Sequence, residues 1–297
     1  MTQDTTKQPT GLELYTRASE RAAAEVIAAY STSFGFATRL LSPEIRRHVR
    51  NIYALVRVAD EIVDGSAEDA RVAGGAVQPE RVLDELETET YAAMASGFSS
   101  NIVVHAFAVT ARATGIEREI VAPFFESMRM DLHPVEYDRP LFEKYIYGSA
   151  EVVGLMCLRA FVVGRDYTDA QHASMVAGAR ALGSAFQKVN FLRDWTADHD
   201  KLGRSYFPGV TRANFDDRVK ASLVAEIDGE IATATKSLTL LPQGARRAVA
   251  AALLLFKALN RRIEQAPASA LFEKRIRVPD WQKLLIVARA WIGVLPR

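Results

Sequence analysis

Residues 187–208 read QKVNFLRDWTADHDKLGRSYFP, and the register of this stretch decides how the rest of the chain is read. Gln187, Asn190, Asp194 and Asp198 fall at i, i+3, i+7 and i+11, which is one face of an α-helix. Phe186, Val189, Phe191 and Leu192 lie around that face, so the helix is expected to be mostly buried. A second row of the same kind lies upstream, with Tyr53, Arg57, Asp60 and Asp64 at i, i+4, i+7 and i+11. Each helix therefore carries a D-x-x-x-D pair in apolar surroundings.

Two like charges at i,i+4 repel by roughly 0.2–0.5 kcal/mol even on an exposed helix. Desolvated, they cost more unless a cation sits between them. A single D-x-x-x-D is most often a solvated face, but such a face seldom aligns Gln, Asn and two Asp on an otherwise apolar helix. A hard divalent ion resolves the repulsion: Mg²⁺ prefers oxygen ligands and is held by one or two carboxylates together with substrate phosphates. The two rows predict a cluster of Mg²⁺ ions, with Mn²⁺ as a substitute, facing a polyphosphate. Arg57, Arg193, Arg204 and Tyr206 are suitable phosphate partners.

Outward from these rows, helical spacing dominates and strand alternation is nearly absent. Leu14, Ala18, Ala22 and Val26 mark one helical face after Gly11, and Ser42-Pro43-Glu44 is a helix start whose helix runs to Asp64 and stops at Gly65. Residues 65–79, with Gly74-Gly75, read as a loop. Further helices are expected over 79–95, 99–113, 117–132, 140–163, 169–200, 216–238, 243–265 and 279–294. The expectation is a disordered tail over 1–10 and one all-α domain of about ten helices over 11–297.

Composition narrows the function classes. The 297 residues are 49% apolar, enough for a real core, and this excludes disorder. Lys plus Arg number 37 against 36 Asp plus Glu, which argues against a basic surface for nucleic acid. One cysteine, Cys157, excludes a disulfide scaffold and a multi-cysteine metal site; in its apolar stretch it reads as packing. The polar start MTQDTTKQPT is not a signal peptide, and the longest apolar run, Ala248–Phe256, falls short of the roughly 18 residues that cross a bilayer. A cytoplasmic protein is expected, soluble or peripheral on the inner face of the membrane. His48, His105, His133, His172 and His199 show no metal-binding spacing. The basic, apolar carboxy-terminal stretch DWQKLLIVARAWIGVLPR, with Trp281 and Trp291, reads either as packing or as a membrane-surface contact.

Taken together, YSTSFGFATRLLSP (30–43), YALVRVADEIVDG (53–65), YIYGSAEVVGLMCL (145–158) and the stretch 187–208 resemble the squalene/phytoene synthase family, and their order matches from about residue 15 to 295. The form N-x-x-R-D-x-x-x-D followed by R-x-Y-F-P is the most specific part, and Y-G-S-A-E-V-V-G-L-M resembles the bacterial phytoene synthases. The resemblance implies an isoprenoid-synthase-type helical bundle with a central cavity between two aspartate-rich helices. It implies that Asp60, Asp64, Asp194 and Asp198 bind Mg²⁺ with Asn190 assisting. It further implies that Ser31, Ser33, Arg57, Tyr147, Gln187, Arg193 and Tyr206 contact the diphosphates or the reacting carbons. Tyr147, Phe34 or Phe161 are candidates to stabilise positive charge from the cavity wall. Two departures stand out: Leu255-Phe256 replaces a frequent tyrosine, and Glu61 replaces a frequent Asp but lies off the Asp60/Asp64 face, where little effect is expected.

The reaction the resemblance implies joins two prenyl diphosphates head to head (1′–1) through a cyclopropylcarbinyl diphosphate. Phytoene from two geranylgeranyl diphosphates, without NADPH, is the expected product. Squalene, dehydrosqualene or hydroxysqualene from farnesyl diphosphate is the alternative. A non-catalytic relative acting as a binding or assembly protein is the reading from another class. Neither acidic helix begins with the paired aspartates of head-to-tail elongating synthases. Oligomeric state is left open by the sequence.

Overall fold

The computed structural model describes residues 8–31, 35, 37–133, 136–195 and 206–293, with the backbone alone at 64 and 68. The described residues contain no strand and form twelve α-helices. The first six are α1 (Gly11–Tyr30), α2 (Pro43–Asp64), α3 (Ser66–Val72), α4 (Pro79–Ser96), α5 (Ile102–Thr114) and α6 (Arg118–Asp131). The second six are α7 (Arg139–Ile146), α8 (Val152–Val162), α9 (Asp169–Arg193), α10 (Asp217–Ser237), α11 (Gln243–Gln265) and α12 (Asp280–Trp291).

Local chemistry accounts for most of the boundaries. Thr10, which the sequence reading placed in the tail, caps α1 through a reciprocal pair with Glu13. Proline opens α2 and α4, and α2 stops at Gly65, whose φ of 144° is strained for any residue with a side chain. Thr168 and Gln171 form a second capping box on α9. Three expectations are corrected. The stretch 65–79 holds the short helix α3. The helix expected over 140–163 is interrupted by a turn of π-helix at Tyr147–Glu151. The helix expected over 169–200 ends at Arg193, with Asp194 as its C-cap.

Helices from both halves of the chain surround one internal cavity. One core cluster joins α2, α4, α5, α6 and α8 through Leu55, Leu83, Phe107, Phe124 and Met156. Another joins α7, α9, α10 and α11 through Phe142, Val189, Ile227, Leu253 and Ile263. The π-helical turn lies between them and is held at close range. A Cβ on Gly148 would sit 2.1 Å from the Pro123 carbonyl oxygen, and one on Gly183 of α9 would sit 2.5 Å from the Ala150 carbonyl oxygen. Only glycine allows the backbones to approach this closely. Residues 139–162 together are long and apolar enough to cross a membrane by length and composition. In the fold, however, Tyr145, Ser149 and Phe161 from this stretch line the cavity.

Candidate active site

The cavity has a volume of about 490 Å³, within the usual range for a small-molecule site. Its lining is of two kinds. Arg57, Asp60, Gln187, Asn190, Arg193 and Asp194 are among the charged and polar side chains. Leu41, Val49, Leu158, Phe161, Met175 and Leu238 are among the apolar ones. Thus α2 and the end of α9, the two helices singled out by their acidic rows, contribute side chains to the same chamber.

On α2, Arg57 is the organising group. Its guanidinium lies 4.4 Å from the Tyr30 ring centroid, pairs with Glu61 and stands 3.8 Å from Asp60. Glu61, expected to matter little, is therefore tied to the site through Arg57, and Ser66 also donates a hydrogen bond to it. Tyr53 lines the cavity, and burial raises its phenol pKa, while Arg57 and a hydrogen bond with Ser31 oppose the shift. Ser31, the C-cap of α1, thus connects with the cavity through Tyr53.

At the end of α9, Asp194 is neutralised from two directions. Arg193 Nη2 lies 2.5 Å from Oδ2, and Arg275 Nε lies 2.6 Å from Oδ1. Arg275 was not a sequence candidate: it is 81 residues away and carries no local motif. Asn190 lies one turn earlier, its buried Oδ1 without a hydrogen-bond partner among the described residues. Orphaned buried acceptors are costly and call for a donor or a cation. An amide oxygen lining the same cavity as the Asp60 and Asp194 carboxylates fits the donor set that Mg²⁺ prefers. Among the described residues no cluster of three or more His, Cys, Asp or Glu forms a ready metal site. Ser33, Phe34, Asp198, Arg204 and the Asp64 side chain lie outside the described residues.

The remaining polar wall adds a tyrosine that the sequence reading did not single out. Tyr147 is not among the cavity-lining residues; it packs on the core under Arg180, whose guanidinium is 5.2 Å from its ring centroid. The lining tyrosine from this segment is Tyr145. Its hydroxyl donates to both oxygens of Asp131 at 2.9 and 2.8 Å, and Tyr206 reaches the same carboxylate at 3.4 Å. Burial and the Asp131 charge push the Tyr145 phenol well above its ordinary pKa, so it stays protonated and acts as a donor. The Tyr206 ring stacks on Phe191 at 3.9 Å and 7°. Cys157 also lines the chamber, and burial pushes its thiol up to about 12, which removes it as a nucleophile. Phe256, at the departure from the frequent tyrosine, stacks at 3.7 Å on the cavity-lining Phe186.

Comparison with known proteins identifies the family and the fold. The family model for squalene/phytoene synthase covers residues 27–282. The chain belongs to the squalene/phytoene synthase family. It is therefore a prenyltransferase of the phytoene/squalene synthase type. It is 29% identical to the 15-cis-phytoene synthase of Pantoea ananas, covering 90% of this chain and 89% of the relative. It is 30% identical to the 15-cis-phytoene synthase of Synechocystis, covering 90% and 83%. In fold it is similar to a dehydrosqualene synthase crystal structure, with a TM-score of 0.77 at 21% identity over 93% of this chain and 96% of the other. A squalene synthase from Alicyclobacillus acidocaldarius gives a TM-score of 0.71 at 21% identity over 86% and 97%. The all-α architecture shared with these structures is the one expected from the helical spacing along the chain.

Proposed function

We propose that this family member condenses two geranylgeranyl diphosphates head to head into phytoene through a cyclopropylcarbinyl diphosphate, without a reductant. The observation that carries the reading is a single chamber lined both by Arg57, Asp60, Arg193 and Asp194 and by many apolar side chains. The substrates have the same two-part character, a diphosphate on a hydrocarbon tail. The similarity to two phytoene synthases at 29% and 30% identity is what favours phytoene as the proposed product.

Asp60, Asp194 and Asn190, with Asp64 and Asp198, are the residues proposed to hold Mg²⁺, which when bound supplies positive charge for a departing diphosphate. Arg57, Arg193 and Arg275 offer N–H donors to the same phosphate oxygens. As the allylic C–O bond breaks, its electron pair leaves with the diphosphate, and C1 becomes positive against the apolar side chains. Phe161, Leu158 and Met175 keep water from that carbon. The double bond of the second substrate attacks C1, and loss of a proton closes the cyclopropane ring. A second ionisation rearranges the ring to the 1′–1 linkage, and a further proton loss gives the hydrocarbon. The rings of Tyr145, Phe186 and Phe191 line the chamber and stabilise the cationic stages, each by on the order of 0.5–2 kcal/mol. On this reading the work is done in the cytoplasm.

The test is product analysis with geranylgeranyl or farnesyl diphosphate and Mg²⁺, with and without NADPH. Phytoene from the C20 substrate alone is the expected result. A hydrocarbon only from farnesyl diphosphate moves the assignment to squalene-type products. No turnover of either substrate by folded protein removes the enzymatic reading in favour of a binding role.

A further inference from the structure

Twelve large apolar side chains are exposed among the described residues, and five of them fall within Trp281–Ile292. They are Trp281 (67% exposed), Leu284, Leu285, Trp291 (65%) and Ile292. Their spacing of i, i+3, i+4, i+10 and i+11 makes one continuous stripe on α12, with the exposed Ala288 filling it at i+7. The opposite side of α12, with the buried Ala290, packs on the bundle. Scattered exposed apolar residues need no explanation, but a contiguous stripe with two tryptophans does.

Charge indicates what covers it. Residues 273–293 hold five cationic side chains against Glu273 and Asp280, and Asp280 is paired with Lys283 at 3.0 Å. Lys274 and Arg277, on the segment leading into α12, are exposed, as is Arg289 beside the stripe. An apolar helix face with tryptophans and a cationic border is suited to lying in the plane of an anionic lipid surface. The same segment carries Arg275, whose ion pair with Asp194 at 2.6 Å joins it to the lining of the cavity.

We infer that α12 docks the protein on an anionic bilayer surface, with Trp281, Leu284, Leu285, Trp291 and Ile292 in the interface and Lys274, Arg277 and Arg289 on the headgroups. The helix lies on the membrane and does not cross it. Docking there brings the segment that carries Arg275 up to a lipid phase.

The experiment is flotation of the full chain with vesicles of equimolar phosphatidylglycerol and phosphatidylcholine, or of phosphatidylcholine alone, with no substrate present. This separates the inference from the catalytic reading. Wild type is expected to float with the anionic vesicles and to bind the neutral ones about tenfold more weakly. A Trp281→Ser/Trp291→Ser variant is expected to lose about tenfold or more in vesicle affinity while its circular dichroism and its turnover of detergent-dispersed substrate stay unchanged. An Arg277→Glu/Arg289→Glu variant is expected to lose the preference for anionic vesicles. Wild type that ignores both vesicle types overturns the inference. So does sedimentation as a dimer that the tryptophan double variant breaks, because the stripe would then be covered by a second copy.

Discussion

Removing the Tyr145 hydroxyl is the sharpest test of how the cavity wall is held. Tyr145→Phe keeps the ring, which contacts Phe191 and Tyr206, and deletes only the donor that bridges both Asp131 oxygens at 2.9 and 2.8 Å. Asp131 is 9% exposed, and the Tyr206 hydroxyl lies at a long 3.4 Å. A hydrogen bond to a charged, buried acceptor contributes about 1.5–3 kcal/mol, which makes about 2 kcal/mol the expected loss. For 297 residues, an unfolding entropy of about 2 cal/mol/K per residue converts this into a Tm drop of about 3 °C. Thermal unfolding followed by circular dichroism reads it directly. Asp131→Asn alone is expected to cost about 1–2 kcal/mol, and the double variant less than the sum, because the two changes remove the same bond. A Tm unchanged by Tyr145→Phe, or strictly additive losses in the pair, would refute the coupling.

Three further outcomes are expected. Gly148→Val drives a side chain into the Pro123 carbonyl and the Ser127 hydroxyl, both 2.1 Å from the new Cβ, so the protein should lose about 3 kcal/mol or more, read as the urea midpoint or as insolubility. Cys157 should resist iodoacetamide at pH 8 in the native protein and react once unfolded, because burial holds its thiol near 12; labelling of native protein at the unfolded rate would contradict the burial. Burial first, and the Arg47 charge second, lower the His48 pKa, so the folded state keeps it neutral while the unfolded state takes up a proton. Stability linked to His48 is therefore full above the unfolded value of about 6.5 and declines as the pH falls below it. His48→Gln should flatten that part of the urea-midpoint profile, and an identical slope in the variant would count against it.

Much of this architecture was legible in the residue order. The row Tyr53, Arg57, Asp60 lies on a helix that runs from Pro43 to Asp64 as the capping and stop signals require, and Gln187, Asn190 and Asp194 follow on another. Periodicity carries such information because each row lies within one helix. What the sequence hid depends on groups brought together from afar. Arg275 meets Asp194 across 81 positions, and Asp131 meets Tyr206 across 75, so neither pairing has a local signature. Tyr145, which the sequence reading did not single out, lines the cavity two residues before Tyr147, and residues two apart on a helix point to nearly opposite sides. The end of α9 at Arg193 likewise has no local signal, and there Arg275 reaches the C-cap carboxylate from a distant part of the chain.

The central claim is that Asp60 and Asp194 act together, through a divalent cation, on a leaving diphosphate. Diphosphate release from geranylgeranyl diphosphate, measured for wild type, Asp60→Asn and Asp194→Asn with Mg²⁺ and with excess chelator, tests it most directly. The account predicts release by wild type that chelator stops and added Mg²⁺ restores, and a loss of about a hundredfold or more in each folded variant. Release at the wild-type rate by either variant, or undiminished in chelator, would contradict it.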